Sequence, residues 1–175
     1  MTYSALADLP FWPYLNDAGD LNPDWQGKTG AYAIYDQQQA LQYIGYSRDV
    51  RASLLQHLVR QVENCYWVKL QWVERPSRTV LEDIRQAWIA ENGALPTGNG
   101  EDQALWCQPI PVTPALTEAE RLTFDQSDEL GQAKLLKTVA RRLEAERLAQ
   151  LQARGAKLEI RFNPKLKEQG LLDVK

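Results

Sequence analysis

Residues 30–46 read GAYAIYDQQQALQYIGY, and this stretch decides the fold. GAYAIYD alternates in period two with small, branched and aromatic residues, as a short half-buried strand does. LQYIGY repeats the pattern, and the intervening DQQQ has turn chemistry and no apolar side chain. Two strands so closely joined predict an antiparallel hairpin.

Working outward, Asp49 is placed to cap a helix through VRASLLQHLVRQ, with Val50, Leu54, Leu55 and Leu58 on one face. CYWVKLQWVE, residues 65–74, reads as a third strand. Ser77 is placed to cap a second helix, RTVLEDIRQAWIAEN, in which Val80, Leu81, Ile84, Ala87 and Trp88 recur at helical spacing and Gly93 suits the C-cap. GALPTGNGED then reads as a loop. The fold expected is α/β, with a β-β-α-β-α core over residues 29–99 built on a small antiparallel or mixed sheet flanked by helices.

Before this core, residues 1–28 form an aromatic and Pro-rich strap, with Pro10, Phe11, Trp12, Pro13, Tyr14 and Trp25 expected to pack on the domain. After it, residues 100–175 read as a C-terminal elaboration. LWCQPIPVTPAL is Pro-interrupted and expected to be extended. Thr117 to Glu120 has capping-box spacing. A long helix is expected from about Asp128 to Arg154, with Leu136, Val139, Leu143 and Leu151 inward and Gly155 ending it. KLEIRF is expected to be a short strand stopped by Asn163-Pro164.

Hydrophobic residues make up 44% and charged residues 25% of the 175, the balance of a globular chain with a real core. No apolar run approaches the ~18 residues of a membrane span. The first seventeen residues carry Asp8 and Asp17 but no Lys or Arg, which argues against a secretory or transit segment and for a cytoplasmic protein. The net charge of −3 is a poor start for a nucleic-acid binder, yet residues 134–175 hold eleven bases against five acids. That block is either a solvated helix face or a surface for nucleic acid or a protein partner. Cys65 and Cys107 match no metal-binding spacing. They are small buried side chains, or a redox pair if their Cα atoms come within ~7 Å.

One ordered set of motifs goes further. GAY at Gly30 to Tyr32, YIG at Tyr43 to Gly45, a helix with His57, a strand, a helix with Glu82 and the turn Pro96-Thr97-Gly98-Asn99 resemble the GIY-YIG nuclease superfamily. More narrowly, residues 43–100 look like the GIY-YIG part attached to chloroplast monothiol glutaredoxins and their bacterial counterparts. The glutaredoxin cysteine motif has no match in this sequence, so no iron–sulfur or glutathione role carries over.

The resemblance implies metal-assisted hydrolysis of a DNA phosphodiester. Glu82 matches the family's metal-binding glutamate, for Mg²⁺ or Mn²⁺, hard ions that accept a single carboxylate and keep several waters. Tyr32 and Tyr43 match the tyrosines that help deprotonate the attacking water, and His57 a proton relay or phosphate contact. Asn99 matches the closing asparagine, a positioner on the substrate side of the site. The family usually carries an arginine eight residues after the YIG glycine, thought to hold the scissile phosphate. Here Ser53 stands there. A hydroxyl does not replace a guanidinium fork, and losing such a contact costs about 3–4 kcal/mol of transition-state stabilisation. Arg48 and Arg51 are the nearby candidates for phosphate, although Arg51 is turned by ~200° from position 53 on a helix. Two readings follow: a DNA endonuclease slowed by Ser53, or a module that binds nucleic acid or protein without cleaving.

Overall fold

A turn held by one aspartate opens the central sheet. The computed structural model describes residues 3–175. Asp36 Oδ1 accepts from the backbone N–H groups of Gln38 and Ala40, at 3.0 and 2.9 Å. This turn joins strands β2 (Gly30–Tyr35) and β3 (Leu41–Ser47) as an antiparallel hairpin. Strand β4 (Trp67–Trp72) pairs antiparallel on the other side of β2. The strap contributes a two-residue strand, β1 (Trp12–Pro13), on the outer side of β4. The sheet order is β1-β4-β2-β3, which leaves β3 at one edge.

The two expected helices form where their caps place them. Helix α1 (Val50–Arg60) starts on Asp49, whose carboxylate accepts from Ala52 N–H. Helix α2 (Arg78–Asn92) starts on Ser77 and ends at Gly93, which supplies φ +78°. One sheet face, with Ala31, Ala33 and Ile44, packs on Leu81, Ile84 and Trp88 of α2. Tyr32 and His57 meet on the opposite face, where α1 lies.

The strap is tied down by polar as well as aromatic contacts. Glu91 of α2 accepts from Leu6 and Ala7 N–H at 2.7 and 2.8 Å, and the Phe11 ring meets Tyr35 edge-on at 4.8 Å. Tyr14 is wholly buried.

The chain divides into two compact units, the first ending at Gln108. Residues 105–107, the start of the segment expected to be extended, instead enter a short helix α3 (Gln103–Cys107) of the first unit. The physical reason is Trp106: the helical turn lets this indole bury to 2% exposure, while Pro109 and Pro111 act only beyond it.

In the second unit β5 (Ile110–Pro111) pairs with β6 (Leu171–Leu172). The capping box at Thr117 and Glu120 is present and starts α4 (Glu118–Gln126). The long helix α5 (Glu129–Ala153) starts on Asp128. Val139 and Leu151 are buried, whereas Leu136 and Leu143 are half-buried. KLEIRF does not form the expected strand. Only Phe162 makes a bridge, to Val174, before Pro164 opens α6 (Pro164–Glu168). The alternation there is met by one buried ring and needs no ladder. No helix among the described residues is long and apolar enough to cross a membrane.

Candidate functional site

The register of the hairpin sets the site. Tyr32 pairs with Gly45 and Ile34 with Tyr43, so both motif tyrosines stand on the α1 face. Gly45 has to lack a side chain: a Cβ there would lie 2.6 Å from the Tyr43 ring and 2.9 Å from the Tyr32 hydroxyl.

Helix α1 brings His57 to Tyr32, with 2.9 Å between the hydroxyl and Nε2. His57 Nδ1 lies 3.0 Å from the carbonyl oxygen of Trp106. A carbonyl oxygen only accepts, so Nδ1 carries the hydrogen and Nε2 accepts from the Tyr32 O–H. Arg60 Nη1 donates to the same carbonyl at 2.9 Å. The Trp106 ring stacks on Tyr43, 5.3 Å between centroids and 5° between planes. Tyr43 in turn lies 4.7 Å from the His57 ring and its hydroxyl 3.4 Å from Cys107 Sγ.

Burial governs the proton affinities. It pushes the Tyr32 phenol well above its ordinary value, against which the neighbouring Ser53 hydroxyl works. It does the same to Tyr43, with Tyr32 and Cys107 adding, while the charge of Arg85 pulls the other way. His57 is pushed down to about 3, first by burial and then by Arg60, so the imidazole is neutral.

Glu82 projects from α2 and is half-buried. Its Oε1 accepts from Arg85 Nη2 at 2.6 Å, Arg85 Nε at 3.2 Å and Gln86 Nε2 at 2.8 Å. The Arg85 bonds, then the Gln86 bond, hold the carboxyl down to about 2, and the Tyr46 hydroxyl adds to them. Among the described residues no three His, Cys, Asp or Glu side chains gather as a metal cage. One anionic, accessible carboxylate suits a Mg²⁺ ion that keeps most of its waters, once Arg85 yields the oxygen.

The other expected residues lie as follows. Asn99 reaches the outer edge of β3, where its Oδ1 accepts from Ile44 N–H at 2.8 Å and its Nδ2 donates to Ile44 O at 2.6 Å. The side chain works as a strand partner, pairing one edge residue of β3 through both ends of its amide. Arg51 points to the strap and pairs with Asp20 at 2.7 Å. Ser53 donates to Ser47 Oγ at 2.7 Å. Arg48 is exposed and, with Arg78, lines a cavity of about 520 Å³ beside Tyr46 and Leu81. Cys65 and Cys107 are both free thiols. Trp106, Tyr46, Arg60 and Arg85 were not expected at the site. Arg85 carried a usable signal, since it lies three residues beyond Glu82 on the same helix.

The first unit is thus a small antiparallel sheet flanked by helices, with two tyrosines and a neutral histidine packed around a strand glycine. No family model matches the chain. The chain is similar to the bifunctional monothiol glutaredoxin-S16, chloroplastic, of Arabidopsis thaliana, 40% identical over 75 residues, which is 41% of this chain and 26% of that protein. The chain therefore spans about a quarter of the length of the curated relative it matches.

Proposed function

We propose that the first unit is a GIY-YIG-type domain that hydrolyses DNA phosphodiesters with a divalent ion, Mg²⁺ or Mn²⁺. The observation that carries this reading is the Tyr32–His57 pair, with the histidine tautomer fixed by the Trp106 carbonyl. An attacking water can pass its proton to the Tyr32 oxygen while the Tyr32 proton moves to Nε2. With no substrate, burial keeps both phenols protonated and His57 neutral. A bound phosphate adds negative charge that favours a proton on the imidazole, so the pair gains basicity when loaded. Glu82 would hold the ion, which when bound supplies positive charge to the phosphate and its own water. Arg48 and Arg78 have exposed guanidinium groups beside the cavity and would meet flanking phosphates.

The test is nicking of supercoiled plasmid. Nicks are expected in Mg²⁺ or Mn²⁺ and should vanish with a chelator and in Glu82→Ala. Wild type and that variant behaving alike would remove the endonuclease reading.

One observation favours a second reading, in which the domain binds DNA without cutting it: Glu82 already has a cation partner in Arg85. DNA retention that survives in Glu82→Ala, with no metal-dependent nicks in wild type, would select it.

A further inference from the structure

The cluster of phenols needs a cation for an anionic substrate, and the fold decides which one can serve. Arg60 is 7% exposed and spends a nitrogen on the Trp106 carbonyl, behind His57. Arg51 is bound to Asp20. Arg48 lies in the cavity beside Tyr46 and makes no ion pair among the described residues. Arg85 is different. It sits one turn beyond Glu82 on α2, its charge acts on both Tyr43 and Tyr46, and its side chain is 27% exposed. Tyr43 stands on the α1 face of edge strand β3, whereas α2 packs on the other face. From the α2 side of this edge strand, the Arg85 guanidinium is fixed on Glu82 by two hydrogen bonds, and its charge is felt by Tyr43 across the edge.

We propose that Arg85 is a substrate-binding residue of this site: its guanidinium takes the phosphate under attack and is parked on Glu82 until a divalent ion claims that carboxylate. The proposal rests on the reading of the site given above. Nε and Nη2 of Arg85 both aim at one carboxylate oxygen, and the same fork fits two oxygens of a phosphate. The pair is part-exposed and three residues apart on one helix, an arrangement that contributes little and yields readily to a stronger anion. A divalent ion on Glu82 and the guanidinium compete for the same oxygen, so binding of one frees the other. Ser53, hydrogen-bonded to Ser47 on the α1 side, leaves that space without a cation of its own.

The experiment measures duplex DNA binding by the full chain in a double-mutant cycle of Glu82→Gln and Arg85→Gln, by fluorescence anisotropy. In chelator with Glu82 intact, R85Q should change affinity less than about twofold, because the arginine is parked. In the E82Q background, and in wild type with Ca²⁺ in place of Mg²⁺, R85Q should weaken binding by about tenfold and lower the salt slope by about 1. Arg85→Lys should recover part of the affinity, and thermal melts of each variant separate lost contacts from lost fold. An R85Q effect that is equal under all three conditions would mean a plain surface cation, and no effect under any of them would mean no contact. Either result overturns the proposal. A flat cycle beside intact metal-dependent nicking sinks Arg85 alone, whereas an intact cycle without nicking sinks the cleavage reading and keeps Arg85.

Discussion

His57 is the buried group of the site whose ordinary titration falls near neutral pH. Its ring is 4% exposed and neutral, with both nitrogens in hydrogen bonds. Its folded value of about 3 lies below the ordinary value of 6.5. Between these values the unfolded chain binds a proton and the folded protein does not, so stability falls as the pH falls through 6.5 toward 3. From pH 7 to pH 5 the loss attributable to this residue is about 2 kcal/mol. Urea unfolding at the two pH values checks this, and the slope should flatten in His57→Gln. A slope that stays the same in that variant would assign the loss elsewhere.

At the scale of elements, the edge strand β3 is engaged on both faces and along its outer edge. Tyr43 and Gly45 take the α1 face, while Ile44 packs toward α2. The outer N–H and C=O of Ile44 are paired by Asn99, which also keeps this edge from pairing with another chain. Removing that amide in Asn99→Ala should cost about 1–3 kcal/mol, the penalty of unmet backbone groups. Hydrogen exchange reports it locally. The Ile44 amide should lose protection, while Ala33 and the β2–β4 ladder keep theirs. Uniform loss across the sheet would mean that the turn at Asn99 supports the whole unit rather than one strand edge.

At the scale of the whole molecule, charge is divided unevenly between the two units. Residues 3–108 hold thirteen acids and eight bases, and residues 109–175 ten acids and twelve bases. The second unit is thus the more basic, yet much of its charge is internally matched. Arg142 is held by Glu120 at 2.8 Å, Lys137 by Glu168 at 3.4 Å and Lys167 by Glu144. A cation already paired releases few counterions on meeting DNA. On the proposed DNA-binding reading, the salt dependence of retention should therefore fall by about 2 in Arg48→Gln with Arg78→Gln, one per lost phosphate contact. Lys137→Gln with Arg142→Gln should leave the slope nearly unchanged. The reverse pattern would move the proposed DNA-binding face to the C-terminal block.

Much of this molecule was legible in local sequence. The hairpin of GAYAIYD and LQYIGY, the caps at Asp49, Ser77 and Asp128, and the capping box at Thr117 depend on residues a few positions apart, where backbone geometry leaves few alternatives. The register that puts Tyr32 and Tyr43 on one face is set by the folded hairpin. What the sequence could not convey depends on contacts between distant segments. LWC folds as a helix because Trp106 finds its burial against Tyr43 of the distant strand β3. KLEIRF has a strand's alternation but only one bridge to make. Asn99 became a strand partner, Arg51 a partner of Asp20, and Arg85 a partner of Glu82, because each side chain answers to whatever the fold brings within reach. Sequence by itself determined the central hairpin, the third strand and the capped helices, since period and capping are local. Tertiary structure alone decided which charges face the site, because a long side chain's partner is set by packing across the chain.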